Sequence, residues 1–193
     1  KLMTALLVLE ALDRDEIALT DSVQISPRAA AMKGSQALLD ANAVYPLEDL
    51  LRTTIMASAN DSAVALSEYI AGSEENFVDR MNRRAAELGM TNTNYVNCTG
   101  YPQSGQYTTA RDVCRLCCEI AKHPRYNQYA SVWIDKLTHP SGRVTDLTNT
   151  NRLVRFYEGC DGYKTGSTDA AKYCLAATAE KNGMRLVAIV LGT

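Results

Sequence analysis

Residues 159–168 read GCDGYKTGST, with a lysine set between a tyrosine and a threonine and ringed by Gly159, Gly162 and Gly166. A residue without Cβ lets its backbone pass close to another segment or a ligand, so the stretch predicts a substrate-facing edge with Lys164 as its cation. Downstream, KYCLAATAEKNGMRLVAIVLGT holds two strand-length segments around Asn182-Gly183, the dipeptide that suits a tight hairpin turn. Its second strand, RLVAIVL, is apolar on both faces, which predicts a central position in a sheet. Upstream, SVWIDKLTH and RVTDLTN flank Pro140-Ser141-Gly142 as another hairpin.

Before residue 130 the apolar period is that of helices. KLMTALLVLEAL opens the chain, a short strand candidate SVQI follows, and Pro46 starts PLEDLLRTTIMAS with Leu47, Leu50, Leu51 and Ile55 on one stripe. A helix over SAVALSEYIA stops at Gly72, and EENFVDRMNRRAAEL lies between Ser73 and Gly89, residue types that cap helix starts and ends. Beyond a polar loop over 91–107, Thr109 and Asp112 form a capping pair for ARDVCRLCCEIAK, which ends at His123-Pro124. Helices followed by antiparallel hairpins, without repeats or low-complexity tracts, make an α+β pattern.

The 193 residues suffice for one domain with a sizeable core. Twenty basic side chains nearly cancel twenty-two acidic ones, so no nucleic-acid partner is implied. Arg80, Arg83 and Arg84 are interleaved with Asp79 and Glu87 and read as a solvated helix face. No apolar run approaches the roughly 20 residues that cross a bilayer, and the opening helix does not read as a cleavable leader. Membrane anchoring is therefore expected to lie outside this chain. Of six cysteines, Cys114, Cys117 and Cys118 fall at i, i+3 and i+4 and read as core packing. His123 and His139 have no ligand-spaced companions, so neither a metal nor another cofactor is expected. The pairing of Cys98, Cys160, Cys174 and the rest is open.

Lys1 stands at the start of an apolar helix, SAN (58–60) at a helix boundary, and KTG (164–166) at what reads as the opening of a strand. In that order they resemble the signatures S-x-x-K, S-x-N and K-T-G of the penicillin-recognising serine enzymes, in the form used by D-alanyl-D-alanine carboxypeptidases. The segments KLMTALLVLEAL, MASANDSAVALSEYIAGSEENFVDRMNRRAAELGMTNTNYVN, TTARDV, TNTNRLV and GCDGYKTGSTDAAKYCLAATAEKNGMRLVAIVLG carry the same resemblance over most of the chain. It implies a β-lactamase/DD-peptidase-like fold, a helical group packed on an antiparallel sheet. Residues 1–193 would form a single, incomplete penicillin-binding transpeptidase-like catalytic domain.

Cleaving a terminal peptide bond through an acyl-enzyme requires an activated hydroxyl, an amine to take its proton, oxyanion donors and a cation for the terminal carboxylate. The resemblance assigns Lys1 as general base, its pKa lowered by crowding from Lys164. Ser58 becomes a proton relay to the leaving amine, and Asn60 the group that holds Lys1 and the substrate amide. Lys164 would hydrogen-bond Ser58 and, with Thr165, attract the carboxylate. Gly166 would let the substrate lie along the strand, and the Ser167 N–H would be an oxyanion donor. The implied substrate is a peptidoglycan stem peptide ending in D-Ala-D-Ala, processed outside the cytoplasmic membrane, with β-lactams as inhibitors.

The serine of S-x-x-K would stand three residues before Lys1. The chain starts at that lysine, so it is expected to be a piece trimmed at both ends that lacks the nucleophile and is inactive alone. Two other readings compete: a class A-like β-lactamase, for which Glu119 and Glu158 offer no matching glutamate loop, and a non-catalytic domain that binds wall peptides or β-lactams.

Overall fold

The computed structural model describes residues 1–193. Helix α1 (Leu2–Asp13) buries Met3, Thr4, Ala5, Leu6, Val8, Leu9 and Ala11, nearly its whole circumference, as a helix that is apolar all round must. It packs against helices of both halves of the chain: α3 (Leu47–Met56), α4 (Asn60–Ala71), α5 (Glu74–Glu87), α6 (Ala110–Ile120) and α7 (Pro124–Ala130). The predicted stripe on α3 is the buried one, with Leu47, Leu50, Leu51 and Ile55 at most 1% exposed. Short α2 (Pro27–Ala30) rests on α4.

The caps read from sequence form. Ser73 Oγ accepts from Asn76 N at 3.2 Å and Thr109 Oγ1 from Asp112 N at 3.2 Å, each satisfying a helix-start N–H. Gly72, with φ +77, ends α4 in the left-handed conformation.

Three antiparallel sheets complete the fold: β1 (Ser22–Gln24) with β2 (Val44–Pro46), β3 (Ile134–Thr138) with β4 (Val144–Thr148), and β5 (Cys160–Thr168), β6 (Lys172–Lys181) and β7 (Met184–Val190) in that spatial order. Asn182 and Gly183 take φ +53 and +75 between β6 and β7, the signature of a two-residue hairpin. Helix α6 covers β6 and β7; α7 and the single turn α8 (Leu153–Phe156) pack on β5.

Four expectations are corrected. Within residues 1–193, β7 pairs with β6 alone and does not take the central position expected of it, and its Met184, Leu186 and Val190 are exposed. Lys164–Gly166 lie in the middle of β5 and do not open it. Among the α6 cysteines only Cys117 is in the core; Cys114 is half-buried, Cys118 is exposed, and all six cysteines are free. Arg84 is no solvated side chain: its guanidinium meets Glu10 at 2.8 Å and Glu119 at 3.1 Å, joining α5 to α1 and α6.

Candidate active site

The corner between α3 and α4 carries the first part of the site. Ser58, half-buried, turns the chain with φ +62, a left-handed conformation that non-glycine residues keep only when their surroundings hold it. The surroundings here are extensive. Ala59 N donates to Thr53 O at 3.2 Å, Asn60 N to Ser35 O at 2.7 Å, and Asn60 Nδ2 to Lys33 O at 2.6 Å. Fully buried Asp61 accepts from Ala37 N at 2.9 Å, Leu39 N at 3.1 Å and Ser62 N at 2.9 Å. Segment 33–39 is thus stapled across the start of α4. Gly34 is required there, since a Cβ would sit 2.8 Å from Asn60 Nδ2.

Lys1 comes from the start of α1. Its Nζ donates to Thr99 O at 2.7 Å, one turn from Thr4, whose Oγ1 donates to Cys98 O at 2.6 Å. Segment 98–99 is held in turn by Glu74, whose Oε1 accepts from Cys98 N at 2.9 Å while Oε2 pairs with Arg28. Burial lowers the Lys1 pKa to about 8, against the opposing fields of Cys98 and Asp61.

Lys164 approaches from the sheet, 7% exposed. Its Nζ donates to Thr165 O at 3.0 Å and reaches Thr150 Oγ1 at 3.5 Å, the limit of contact; Thr165 Oγ1 donates to the same Thr150 hydroxyl at 2.7 Å. Burial, and then the charge of Lys1, lower its pKa to about 7. The two lysines therefore feel one another across the space between α1 and β5. Thr150 is fixed by its own N–H, which donates to Met56 O at 3.2 Å at the end of α3. Asn149 beside it ties the Ala130 and Val132 carbonyls at 2.8 and 2.9 Å.

Farther along β5, Gly166 and Ser167 are exposed. The glycines of the stretch divide by cause. A Cβ on Gly159 would lie 2.7 Å from Glu180 O, so the fold itself needs that glycine; a Cβ on Gly166 would meet only ordinary contact, 3.8 Å from Cys174. Nothing inside the protein demands the bare backbone at Gly166.

Two expected contacts are replaced. Asn60 makes no hydrogen bond to Lys1: its Nδ2 donates to the Lys33 carbonyl, and Lys1 Nζ donates to Thr99 O. Lys164 does not reach Ser58 but turns to Thr150 and Thr165. The cause given for the Lys1 shift also changes, since burial leads. Sequence reasoning passed over Thr150, Thr99, Asp61 and Glu74. Asp61 directly follows SAN and Thr150 lies in TNTNRLV, so position was the one available signal.

Paired desolvated lysines beside a serine-bearing helix corner and an open strand edge define a DD-peptidase-like, penicillin-binding fold. The D-alanyl-D-alanine carboxypeptidase DacD structure from Francisella tularensis superposes with TM-score 0.94 at 29% identity, over 100% of this chain and 58% of that one. Penicillin-binding protein D2 from Listeria monocytogenes, in its ampicillin-bound form, gives 0.84 at 32% identity over 99% and 76%. The D-alanyl-D-alanine carboxypeptidase family, peptidase family S11, matches residues 1–193, and the chain belongs to it. D-alanyl-D-alanine carboxypeptidase DacF of Bacillus subtilis is 43% identical over 192 residues, covering 100% of this chain and 49% of the relative. The chain spans about half the length of the curated relatives it matches.

Proposed function

We propose that the protein carrying this chain is a serine-type D-Ala-D-Ala carboxypeptidase that removes the terminal D-alanine of peptidoglycan stem peptides outside the cytoplasmic membrane. Residues 1–193 are part of its catalytic domain. One observation carries the reading: Lys1 and Lys164 are both desolvated, and the charge of Lys1 acts on Lys164. With a pKa of about 8, Lys1 is neutral in roughly a tenth of molecules at pH 7, where an ordinary lysine is neutral in less than about a thousandth. That suits a general base for a serine three residues ahead of it.

Attack would put the serine proton on Lys1. Ser58 would pass a proton to the departing amine, while the Ser167 N–H faces the developing oxyanion. Lys164, when protonated, and the Thr165 hydroxyl would hold the substrate carboxylate, with Gly166 leaving the strand edge free for the peptide. A β-lactam would acylate the same serine and inhibit. The two glutamates that a class A-like β-lactamase would have to recruit are engaged elsewhere: Glu119 with Arg84 and Lys122, and exposed Glu158 with Lys181 at 3.9 Å. This favours the peptidase.

The test is release of D-alanine from a peptide ending in D-Ala-D-Ala by the complete protein. Release is expected, and it falls on replacing Lys164. Binding of the peptide or of a β-lactam without turnover would instead establish a non-catalytic binding domain.

A further inference from the structure

Glu74, the first residue of α5, is a carboxylate 7% exposed that the reaction described above does not use. A buried charge is kept where its partners satisfy it, and here the two oxygens are divided between partners. Oε2 pairs with Arg28 of α2, which also reaches Glu68 Oε1 of α4 at 3.3 Å. Oε1 accepts from the main-chain N–H of Cys98 at 2.9 Å. One oxygen fixes the carboxylate within the helical group, and the other holds a loop.

That loop seats Lys1. Residues 97–101 belong to no helix or strand and close a turn on themselves: Asn97 Oδ1 accepts from Gly100 N at 2.8 Å and from Thr99 Oγ1 at 3.1 Å, and Asn97 Nδ2 donates to Tyr101 O at 2.9 Å. Lys1 Nζ donates to Thr99 O at 2.7 Å. Apart from Lys1, two groups tie the 98–99 backbone to the helices: Thr4 Oγ1, which donates to Cys98 O at 2.6 Å, and Glu74. Thr4 stands on the same helix as Lys1, so Glu74 is the tie to a second helix. The charges that act on Lys1 are those of Cys98 and Asp61, and Lys1 acts in turn on Lys164. The Glu74 charge is spent on Arg28. Glu74 therefore reaches Lys1 through the position of the backbone and not through its field.

We propose that Glu74 is a positioning residue for the general base: by gripping the Cys98 N–H it holds Thr99 O against Lys1, and so keeps the Lys1 amine aimed and dry. The inference rests on the carboxypeptidase reading of the site. A base must stand within about 3 Å of the group whose proton it takes, and a misplacement of about 1 Å caused by a change remote from the chemistry can cost about 10²-fold. Within residues 1–193, Thr99 O is the one group that hydrogen-bonds Lys1 Nζ, so a long side chain depends on one carbonyl for its aim. Burial is also the leading cause of the lowered Lys1 pKa. A turn that drifts away admits water to Nζ and moves that pKa back up.

Two substitutions in the complete protein separate reach from charge. Glu74→Asp keeps the charge but falls one methylene short of Cys98 N; Glu74→Gln gives up the charge, leaving Arg28 to Glu68, but keeps an oxygen at full reach. Glu74→Asp should lower kcat for D-alanine release by about tenfold or more with KM within about twofold. It should also move the acid limb of kcat/KM up from about 8, by about half a pH unit or more, toward the ordinary lysine value. Glu74→Gln should stay within about threefold with the acid limb in place. Glu68→Ala, which removes the outer partner of Arg28, should alter neither. The reverse order, with Glu74→Gln impaired and Glu74→Asp intact, overturns the proposal, and so do equal losses with an unmoved acid limb. Titration of Lys1 by NMR of isotope-labelled lysine, assigned with Lys1→Arg, reads the same shift without turnover. A Lys1 titration unmoved by Glu74→Asp overturns the positioning role whatever the D-alanine assay reports, whereas a titration that moves in a protein releasing no D-alanine places the failure in the carboxypeptidase reading.

Discussion

The two walls of the cleft are built in opposite ways. On the helical wall, Asn60 and Asp61 spend their side chains on backbone groups of segment 33–39, and Lys1 is seated on the Thr99 carbonyl. On the strand wall, Lys164 has three donors but one good acceptor, Thr165 O at 3.0 Å, and one at 3.5 Å, while Gly166 and Ser167 are open to solvent. Asn60 Nδ2 and the Asp61 carboxylate on the helical wall are satisfied internally, which makes it the rigid wall. The other keeps unspent hydrogen-bonding capacity, which is what a receptor for a carboxylate and an extended peptide needs.

Breaking the rigid wall should cost stability first. Asp61→Ala would leave the buried N–H groups of Ala37, Leu39 and Ser62 without an acceptor, at about 1–3 kcal/mol for each that water cannot reach. Denaturant unfolding should show a loss of about 3 kcal/mol or more, and a loss under 1 kcal/mol would mean the staple is not structural. Breaking the receptive wall should instead cost chemistry. Lys164→Ala in the complete protein is expected to lower acylation by about 10²-fold, with a midpoint of unfolding unchanged or raised, because an incompletely paired buried cation has been removed. Near-normal acylation would make the KTG lysine dispensable.

The same contrast should appear in pH dependence. Lys164 loses its proton as pH rises through about 7, weakening carboxylate capture, whereas Lys1 gains base character as pH rises through about 8. For the free enzyme kcat/KM should therefore peak between about 7 and 8 and fall on both sides. An acid limb with a midpoint near 10, the ordinary lysine value, would contradict the desolvation of Lys1. The smallest effect belongs to Thr150→Val, which removes the hydroxyl shared by Thr165 and Lys164. Its KM should rise by about three- to tenfold with kcat little changed, and an unchanged KM would show that Thr150 only fills space.

Much of this architecture was legible where one residue forces one geometry. Asn182-Gly183, Ser73, Thr109 and Gly72 each do so through local backbone chemistry, and each turn or cap is found where the sequence puts it. Helix α7 was not legible, because Pro124 reads as a stop after His123 but serves as the first residue of a new helix. RLVAIVL, which reads as a central strand, pairs on one side only within residues 1–193. In the site, Lys1, SAN and KTG were readable as ordered motifs. The Thr99 carbonyl that holds Lys1 is 98 residues away and belongs to the backbone, which leaves no trace in side-chain identity.

The nucleophile we propose is a serine three residues before Lys1, with Ser58 confined to proton transfer. Intact-mass spectrometry after incubation with benzylpenicillin tests this most directly, with the adduct mapped by peptide fragmentation. The complete protein should gain one penicilloyl group on that upstream serine, and residues 1–193 alone should gain none, because a relay group on the leaving side is not aligned for attack. A penicilloyl group mapped to Ser58, or to any other residue from Lys1 onward, would contradict the assignment.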